Sequence, residues 1–533
     1  MILGIRHLFY ASRVYGFLLR GKAPASLLGT VPDLWPGDAA VGAGLVEGNF
    51  SAGGQQFQLN NLGHEPGGAG EAWLEALHGF GWLGHLRAQG GDQAKRRAID
   101  FVQSWAQANG NWRALSWRPD ILGERLANLL IHFAFLTSGA EEAFKQALLA
   151  SLGHQARHLA RTAGRDTVGG ARLAALRGLI HAGCCLPDGE RNLNRGLADL
   201  EVETISQILP DGGHYARSPT QQARILKLYV EVRETLVAAH REIPDWLTVV
   251  ISRMAIMLRA LRHGDGGLAL FNGSTEEGGA LLDAILAKAA VRGRALSAAP
   301  HAGFYRLAAG RTLLLMEAGA PPGAGQNRWA HAGTLSFELS SGKERLIVNC
   351  GASTGDDPHW RHALRTTAAH STLVVDDINS SQILDGGGFS QGAVNVTASR
   401  REIDGSVIVE TSHDGYEEIL GLIHRRLIML ASDGAEVRGE DNLIGTGGES
   451  YALRFHLHPG VKANLLSDGK SVLMKLPRGG GWRLQSADGS LAVEESVYFG
   501  DGVARRKSLQ IVLTGSLAGA GATVKWHINR VEK

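Results

Sequence analysis

The spacing of apolar residues changes once along this chain, near residue 300, and that change restricts the fold more than any other feature. Ahead of it, apolar residues recur three and four apart, as in Ala72, Trp73, Leu74, Leu77, Phe80, Trp82 and Leu83, which is the period of an amphipathic helix. Comparable runs follow at about 92–109, 119–137, 141–163, 170–186, 190–208, 218–241, 244–263 and 277–295. Helix-stop sequences such as Ala108-Asn-Gly110, Leu186-Pro-Asp-Gly189 and Leu209-Pro-Asp-Gly-Gly213 separate them. Short connections between helices of this length predict helical hairpins packed side by side. Beyond the break, short alternating runs such as Thr312–Met316, Leu335–Leu339, Arg345–Val348, Ser406–Glu410, Arg426–Leu430, Tyr451–His456 and Ser508–Leu513 lie between Asp-Gly and Gly-Gly turns. That pattern predicts an antiparallel β-sandwich. The expected architecture is therefore α+β with two domains. An N-terminal helix and irregular wrapping occupy 1–68, with a short aromatic strand near Phe50 and Phe57. A helical domain spans 69–298 and a sandwich spans 299–533, joined in the Ala- and Gly-rich stretch near 293–303.

Composition narrows the function. With 533 residues the chain exceeds one ordinary core. Its net charge of +2 and the lack of a long basic cluster argue against nucleic-acid binding. Three cysteines, Cys184, Cys185 and Cys350, cannot build a disulfide framework, and the adjacent pair is expected to be buried in a helix. No segment is long and apolar enough to span a bilayer. The first twenty residues mix Ile2, Leu3, Ile5, Leu8, Phe9, Val14, Phe17 and Leu18 with Arg6, Arg13 and Arg20. Arg13 interrupts the apolar core that a secretory signal would need. The alternatives are an amphipathic helix docked on the domain, a basic helix that touches a membrane surface, or an export signal of unusual form.

Three clusters carry groups suited to chemistry. Trp112, Trp117, Arg118, Glu124, Arg125 and Asn128 surround a helix opened by Pro119. Glu124 and Asn128 lie one turn apart on one face, offering either stacking and hydrogen bonds to a sugar chain or a helix-packing network. The loop Asp211-Gly-Gly-His-Tyr-Ala-Arg-Ser-Pro219 presents His214, Tyr215 and Arg217 ahead of a helix capped by Ser218. Such a loop suits a binding or catalytic role or a purely structural turn, and Arg262-His-Gly-Asp-Gly-Gly267 with Phe271-Asn-Gly273 poses the same choice. Lastly, His331 and His370 start neighbouring strand-like runs with Asn349 near them. They can hold a divalent metal, although zinc usually takes at least three protein ligands and an amide is a weak one. The other reading is hydrogen-bonded core histidines.

Several segments together resemble the heparinase II/III-like polysaccharide lyases. They are Trp329-Ala-His331-Ala-Gly333-Thr-Leu-Ser-Phe-Glu338, Val348-Asn349-Cys-Gly351, Arg365-Thr-Thr-Ala-Ala-His370-Ser-Thr-Leu-Val-Val-Asp376, His413-Asp-Gly-Tyr416 with His424-Arg-Arg426, and the turn Leu209–Pro219. The resemblance implies an incomplete (α/α) toroid followed by an antiparallel β-sandwich, with the substrate cleft between them. It implies β-elimination on a uronic-acid-containing polysaccharide, with a general base, a general acid that is often Tyr, and polar groups that stabilise the developing charge. It also implies one structural zinc ion, with His331, His370 and Asn349 at the ligand positions, and no organic cofactor. Acidic polysaccharide or oligosaccharide is the implied partner.

This chain departs from the family pattern at four places. Trp329 replaces the first histidine of His-x-His, and Asn349 replaces the metal-binding aspartate. Gly170-Ala-Arg172 stands where the family has an Asn-His pair, and Gln221 stands at its catalytic tyrosine. The remaining catalytic candidates are Tyr215, His214, Arg217, Arg365 and Tyr416. Tyr215 is a proton donor from a shifted position, and Arg217 or Arg365 a partner for the uronate. Candidates for substrate contact are Trp117, Arg118, Glu124, Asn128, Gln221 and Trp329. Two functions stay open: a lyase with an altered centre, or a glycan-binding or cell-envelope protein on the same fold. Another carbohydrate enzyme on this scaffold is a third, since fold does not fix reaction type. The family implies a periplasmic or envelope setting, whereas the lack of a clear signal peptide favours the cytoplasm.

Overall fold

The computed structural model describes residues 2–531 apart from 166, 324, 325, 356, 385, 386, 518 and 520. The chain divides into two compact units, Met1–Gln207 with Ile225–Ile251, and Ile208–Arg224 with Ser252–Lys533.

The periodic runs of the first unit form helices, including Glu71–Gly79, Gly91–Asn109, Pro119–Ile131, Glu142–Thr162, Gly169–Cys185 and Glu190–Gln207. Pro119 occupies the first helical position, where its missing N–H costs nothing. The run expected over 119–137 is two helices, because the chain breaks at His132 before Phe133–Thr137. Phe50 pairs with Phe57 in a small hairpin. Trp73, Phe80, Phe101, Trp105, Trp117 and Leu126 are buried at the centre. Helices Pro119–Ile131 and Gly169–Cys185 meet at two glycines. A Cβ on Gly178 would lie 2.4 Å from Gly123 O, and one on Gly123 would lie 2.5 Å from Ala174 O. Neither backbone could approach this closely with a side chain in place. Cys184 and Cys185 are buried free thiols at the end of that second helix.

At the N-terminus, helices Ile2–Tyr10 and Arg13–Leu18 are separated at Ser12, whose Oγ accepts from Tyr15 N and caps the second. No described helix is long and apolar enough to cross a membrane.

The second unit holds two antiparallel sheets. One runs, in spatial order, through Val396–Ile403, Ser406–Tyr416, Leu422–Leu430, Glu436–Gly445, Ala522–Val531, Gly481–Ser486, Ser471–Lys475 and Lys462–Leu465. The other runs through Ser490–Tyr498, Arg506–Ser516, Ser450–Leu457, Glu344–Val348, Phe337–Ser341, Thr312–Glu317, Phe304–Ala309 and Ala298–Ala299, with Leu373–Val375 also paired to Ser450–Leu457. Alternation puts one side chain in two into a shared apolar core. Leu339, Leu453, Phe455 and Ile511 come from the second sheet, and Val409, Ile428, Val437, Leu484 and Ile528 from the first. Phe337 and Trp526 stack across this core with ring centroids 5.6 Å apart and planes 4° from parallel.

Several ionic groups buried in the second unit pair with one another where the motif segments cross, although Arg426 Nη2 has no hydrogen-bond partner. Asp441 accepts from Arg426 Nε at 2.7 Å, from His424 Nε2 at 2.7 Å and from Trp526 Nε1 at 2.8 Å. Arg426 also donates to Leu335 O at 2.6 Å, and His413 lies 3.2 Å from His424 Nδ1. Glu338 accepts from Leu270 N and Asn349 N and pairs with His263 Nε2 at 2.8 Å. A buried charge is tolerated only with such partners. These contacts hold the chain at Asn349, just past strand Glu344–Val348, and at Ser371 beside His370.

Candidate functional site

The candidates in the second unit come together around Asn272. This residue sits at φ 45° in the turn Phe271-Asn-Gly273, a conformation that asparagine tolerates better than most residues. Its Oδ1 accepts from His331 N at 3.1 Å, and its Nδ2 donates to Arg217 O at 3.2 Å and to the Glu317 carboxylate. One side chain thus ties the 211–219 loop, the strand ending at Glu317 and the Trp329–His331 segment.

The 211–219 loop is pinned from inside. Asp211 accepts from Ala302 N, and Gln222 accepts from His214 N while donating to Gly212 O and Met254 O. Helix Pro219–Ala238 follows, with Ser218 Oγ 2.9 Å from Ser274 Oγ. His214 is buried with its ring tilted 32° to that of Tyr215 at 4.5 Å between centroids, and burial lowers its imidazole to about 4. Tyr215 and Gln221 are half-buried. Arg217 adopts φ 52°, and its guanidinium lies where a Cβ on Gly319 would be, 2.2 Å from Nη1. Only glycine at 319 leaves that space. Arg217 Nη1 and Glu317 Oε2 are buried without a hydrogen-bond partner. Burial pushes the Glu317 carboxyl up to about 7, against the opposing pull of Arg217 and Asn272. Glu317 was not among the site residues expected from sequence, and Asn272 entered only as part of the Phe271-Asn-Gly273 turn. The available signal was a carboxylate ending an otherwise apolar strand ahead of Ala318-Gly319.

His331 and His370 are adjacent and buried. His370 Nδ1 donates to Thr366 O at 2.8 Å, so its Nε2 accepts from His331 Nδ1 at 3.2 Å. Burial and each other's proximity hold His331 well below the usual histidine range, and burial lowers His370 to about 4. Asn349 Oδ1 accepts from Ser371 N at 2.9 Å. The two imidazoles are therefore bonded to each other, and the amide oxygen is already in use. Among the described residues no group of three or more His, Cys, Asp and Glu side chains converges as a metal site. This donor set does not fit the zinc that the family resemblance implies.

The other candidates lie apart or are sealed. Arg365 donates to Ala330 O at 2.9 Å and Gly388 O at 3.3 Å, and its guanidinium lies 5.5 Å from the Phe389 ring centre. Tyr416 is 0% exposed, with its hydroxyl donating to Leu373 O at 3.0 Å. Trp329 is 57% exposed, with the Arg328 guanidinium 5.0 Å from its ring centre. In the first unit, Trp117 is buried with its indole donating to Asn109 O at 2.8 Å. Arg118 pairs with Glu71, Glu75 and Asp120, Glu124 pairs with Arg177, and Asn128 donates to Gly79 O at 2.8 Å. Each has a packing partner inside its own unit.

A mostly helical unit and a unit of paired antiparallel sheets make the toroid-plus-sandwich class that the motifs suggested, and the comparisons agree. Residues 291–527 match the family described as Heparinase II/III-like, C-terminal, and residues 85–290 match Heparinase II/III N-terminus. The chain belongs to the heparinase II/III-like family. A relative from Caulobacter vibrioides (strain NA1000 / CB15N), FtsZ-localized protein C, is 32% identical over 532 residues, covering 96% of this chain and 91% of that protein. Among solved structures, heparinase III superposes with a TM-score of 0.77 at 16% identity, over 97% of this chain and 88% of that one. A mutant of the heparan sulfate lyase HepC from Pedobacter heparinus gives 0.65 at 18% identity, over 93% and 83%. At these identities the solved structures establish the fold.

Proposed function

We propose that this protein is a non-cleaving member of the polysaccharide lyase fold that binds an acidic glycan and acts where FtsZ assembles. The observation that carries this reading is the state of the groups at the lyase positions. His331 and His370 are bonded to each other, Tyr416 is sealed, Trp329 and Gln221 stand in place of titratable residues, and Asn349 replaces a carboxylate. Elimination needs a base and an acid that reach the sugar, and these positions supply neither. The exposed Trp329 with Arg328 over it is suited to a sugar face and an anionic substituent. The FtsZ assignment rests on the name of the Caulobacter relative and the extent of the match. The acidic-glycan assignment rests on fold relatives such as the heparan sulfate lyase.

Two measurements test it. A fluorescent fusion in the native cell should coincide with FtsZ and disperse when FtsZ is depleted. Purified protein should be retained by a uronic-acid polysaccharide matrix, with weaker retention for Trp329→Ala. A fusion that ignores FtsZ, or equal retention of wild type and variant, overturns the respective half.

One observation favours retained chemistry. Tyr215 is a half-buried phenol in a loop with Arg217, so it offers a general acid beside a cation for a uronate. Incubation with a panel of uronic-acid polysaccharides, followed by ultraviolet absorbance of the unsaturated product, decides between the readings. An absorbance rise that Tyr215→Phe abolishes would establish elimination and remove the non-cleaving proposal.

A further inference from the structure

A cleft of about 330 Å³ opens within the second unit between three segments of the chain. The first, 379–382, follows strand Leu373–Val375. The second, 392–394, precedes strand Val396–Ile403. The third, 414–419, is where strand Ser406–Tyr416 passes into the single turn Glu417–Leu420. Pairing of Ser406–Tyr416 with Leu422–Leu430 shifts register between His413 and Tyr416. Such an irregularity bends a strand, and Asp414 and Gly415 line the cleft at that bend. Two glycines make the room. A Cβ on Gly415 would lie 2.4 Å from Ser380 O, and one on Gly392 would lie 2.7 Å from Ser381 Oγ.

Ser381 lines this cleft at 2% exposure, and its Oγ has no hydrogen-bond partner. A buried hydroxyl left unpaired is costly, so it marks a position where an occupant gains by donating to it. The charged lining has one sign. Asp414, Glu417 and Glu418 line the cleft with Asn379 and Gln382, and no Lys, Arg or His among the described residues does. Asp414 is committed to the wall itself, accepting from Val394 N, Asn395 N and Asn395 Nδ2. Glu417 and Glu418 are exposed. Among the described residues these carboxylates do not converge as a metal-ion site. Val394 and Ile419, both exposed, add an apolar wall.

Carboxylates spread along a cleft with an apolar wall suit a cation that is itself extended, with ammonium groups carried on a methylene chain. We propose that this cleft binds an alkylammonium chain. Its N–H groups donate to the carboxylates of Glu417 and Glu418 and to Ser381 Oγ, while its methylenes lie along Val394 and Ile419. The volume is that of a small-molecule site. A free diamine and a lysine side chain of a protein partner share this chemistry. The charge is opposite to what would attract an acidic glycan, so the inference stands apart from the glycan reading.

The test is isothermal titration calorimetry of the full chain with diaminobutane, with butanol as the uncharged control, and separately with an acetylated, amidated tripeptide carrying a central lysine. Saturable binding of the amine but not of butanol is expected, and it should weaken as salt is raised. Glu417→Gln with Glu418→Gln should lower the affinity on the order of fivefold. Both positions are exposed, so the thermal midpoint should be unchanged. Ser381→Ala should also weaken binding. It should leave the stability of the free protein unchanged or raise it, because an unpaired buried hydroxyl is removed. Binding of diaminobutane alone assigns the occupant to a free amine, and binding of the tripeptide alone assigns it to a lysine side chain. Either result upholds the site. No binding of either probe by wild type, or equal binding by wild type and both variants, overturns the inference.

Discussion

His331 Nδ1 lies 3.2 Å from His370 Nε2, and His370 Nδ1 is committed to Thr366 O. The pair is a hydrogen-bonded relay in which each ring holds the next in place. A metal would have to break that bond and find further ligands. Chelator treatment should therefore leave the thermal midpoint where it was, and elemental analysis should find no stoichiometric zinc. His370→Ala should destabilise the second unit by about 2–4 kcal/mol, through a cavity and an orphaned imidazole donor. A chelator-induced drop in the midpoint would refute this account.

Glu317 provides a pH signature. Its folded carboxyl is raised to about 7 by burial, above an unfolded value near 4.3. The folded state then holds a proton that the unfolded state has lost. Its contribution is fully present below the unfolded value and is lost as pH rises from there through about 7. The loss is on the order of 3–4 kcal/mol, taken from the size of the shift. Glu317→Gln should flatten the thermal midpoint between pH 4.5 and 7, and a variant with the wild-type slope would rule this out.

Asp441 should show the opposite sign. Arg426 and His424 hold its carboxyl far below the ordinary range despite complete burial. Its stabilisation is present above the unfolded value and is lost as pH falls through the folded one. Asp441→Asn leaves Arg426 buried and uncompensated, which costs roughly 3–5 kcal/mol. Chemical denaturation followed by tryptophan fluorescence would report it, because Trp526 donates to the same carboxylate.

Trp117 and Trp329 should respond in contrasting ways. Trp117 is buried against Asn109 O, and Trp117→Ala should destabilise by about 3–5 kcal/mol. Trp329 is exposed, so Trp329→Ala should leave the thermal midpoint unchanged while weakening glycan retention. Reversed outcomes would assign the binding surface to the helical unit.

The helix-to-strand change near residue 300 was readable because period 3.6 and period 2 are imposed residue by residue through solvent exposure. The 211–219 and 329–376 segments were readable as motifs for the same local reason, together with their glycine and proline punctuation. Asn272 and Glu317 were less legible. One is an ordinary residue in a glycine turn and the other a strand-terminal carboxylate, and their role comes from partners at Arg217 and His331, 55 and 59 residues from Asn272. Similarly, Trp117, Arg118 and Asn128 lie in or just ahead of helix Pro119–Ile131 among residues suited to sugar contact, and only their partners place them in packing networks.

By itself the sequence determined the succession of helices and strands, the family and the substitutions at lyase positions, since these follow from local pattern and residue identity. Tertiary structure decided three further matters: that His331 and His370 are bonded to each other, that residues 208–224 and 252–298 group with the strand-rich unit, and that the apolar side chains between Leu8 and Leu18 face solvent. Burial and hydrogen-bond partners depend on what packs opposite a residue. A one-dimensional period reports which face is apolar, but not what covers it.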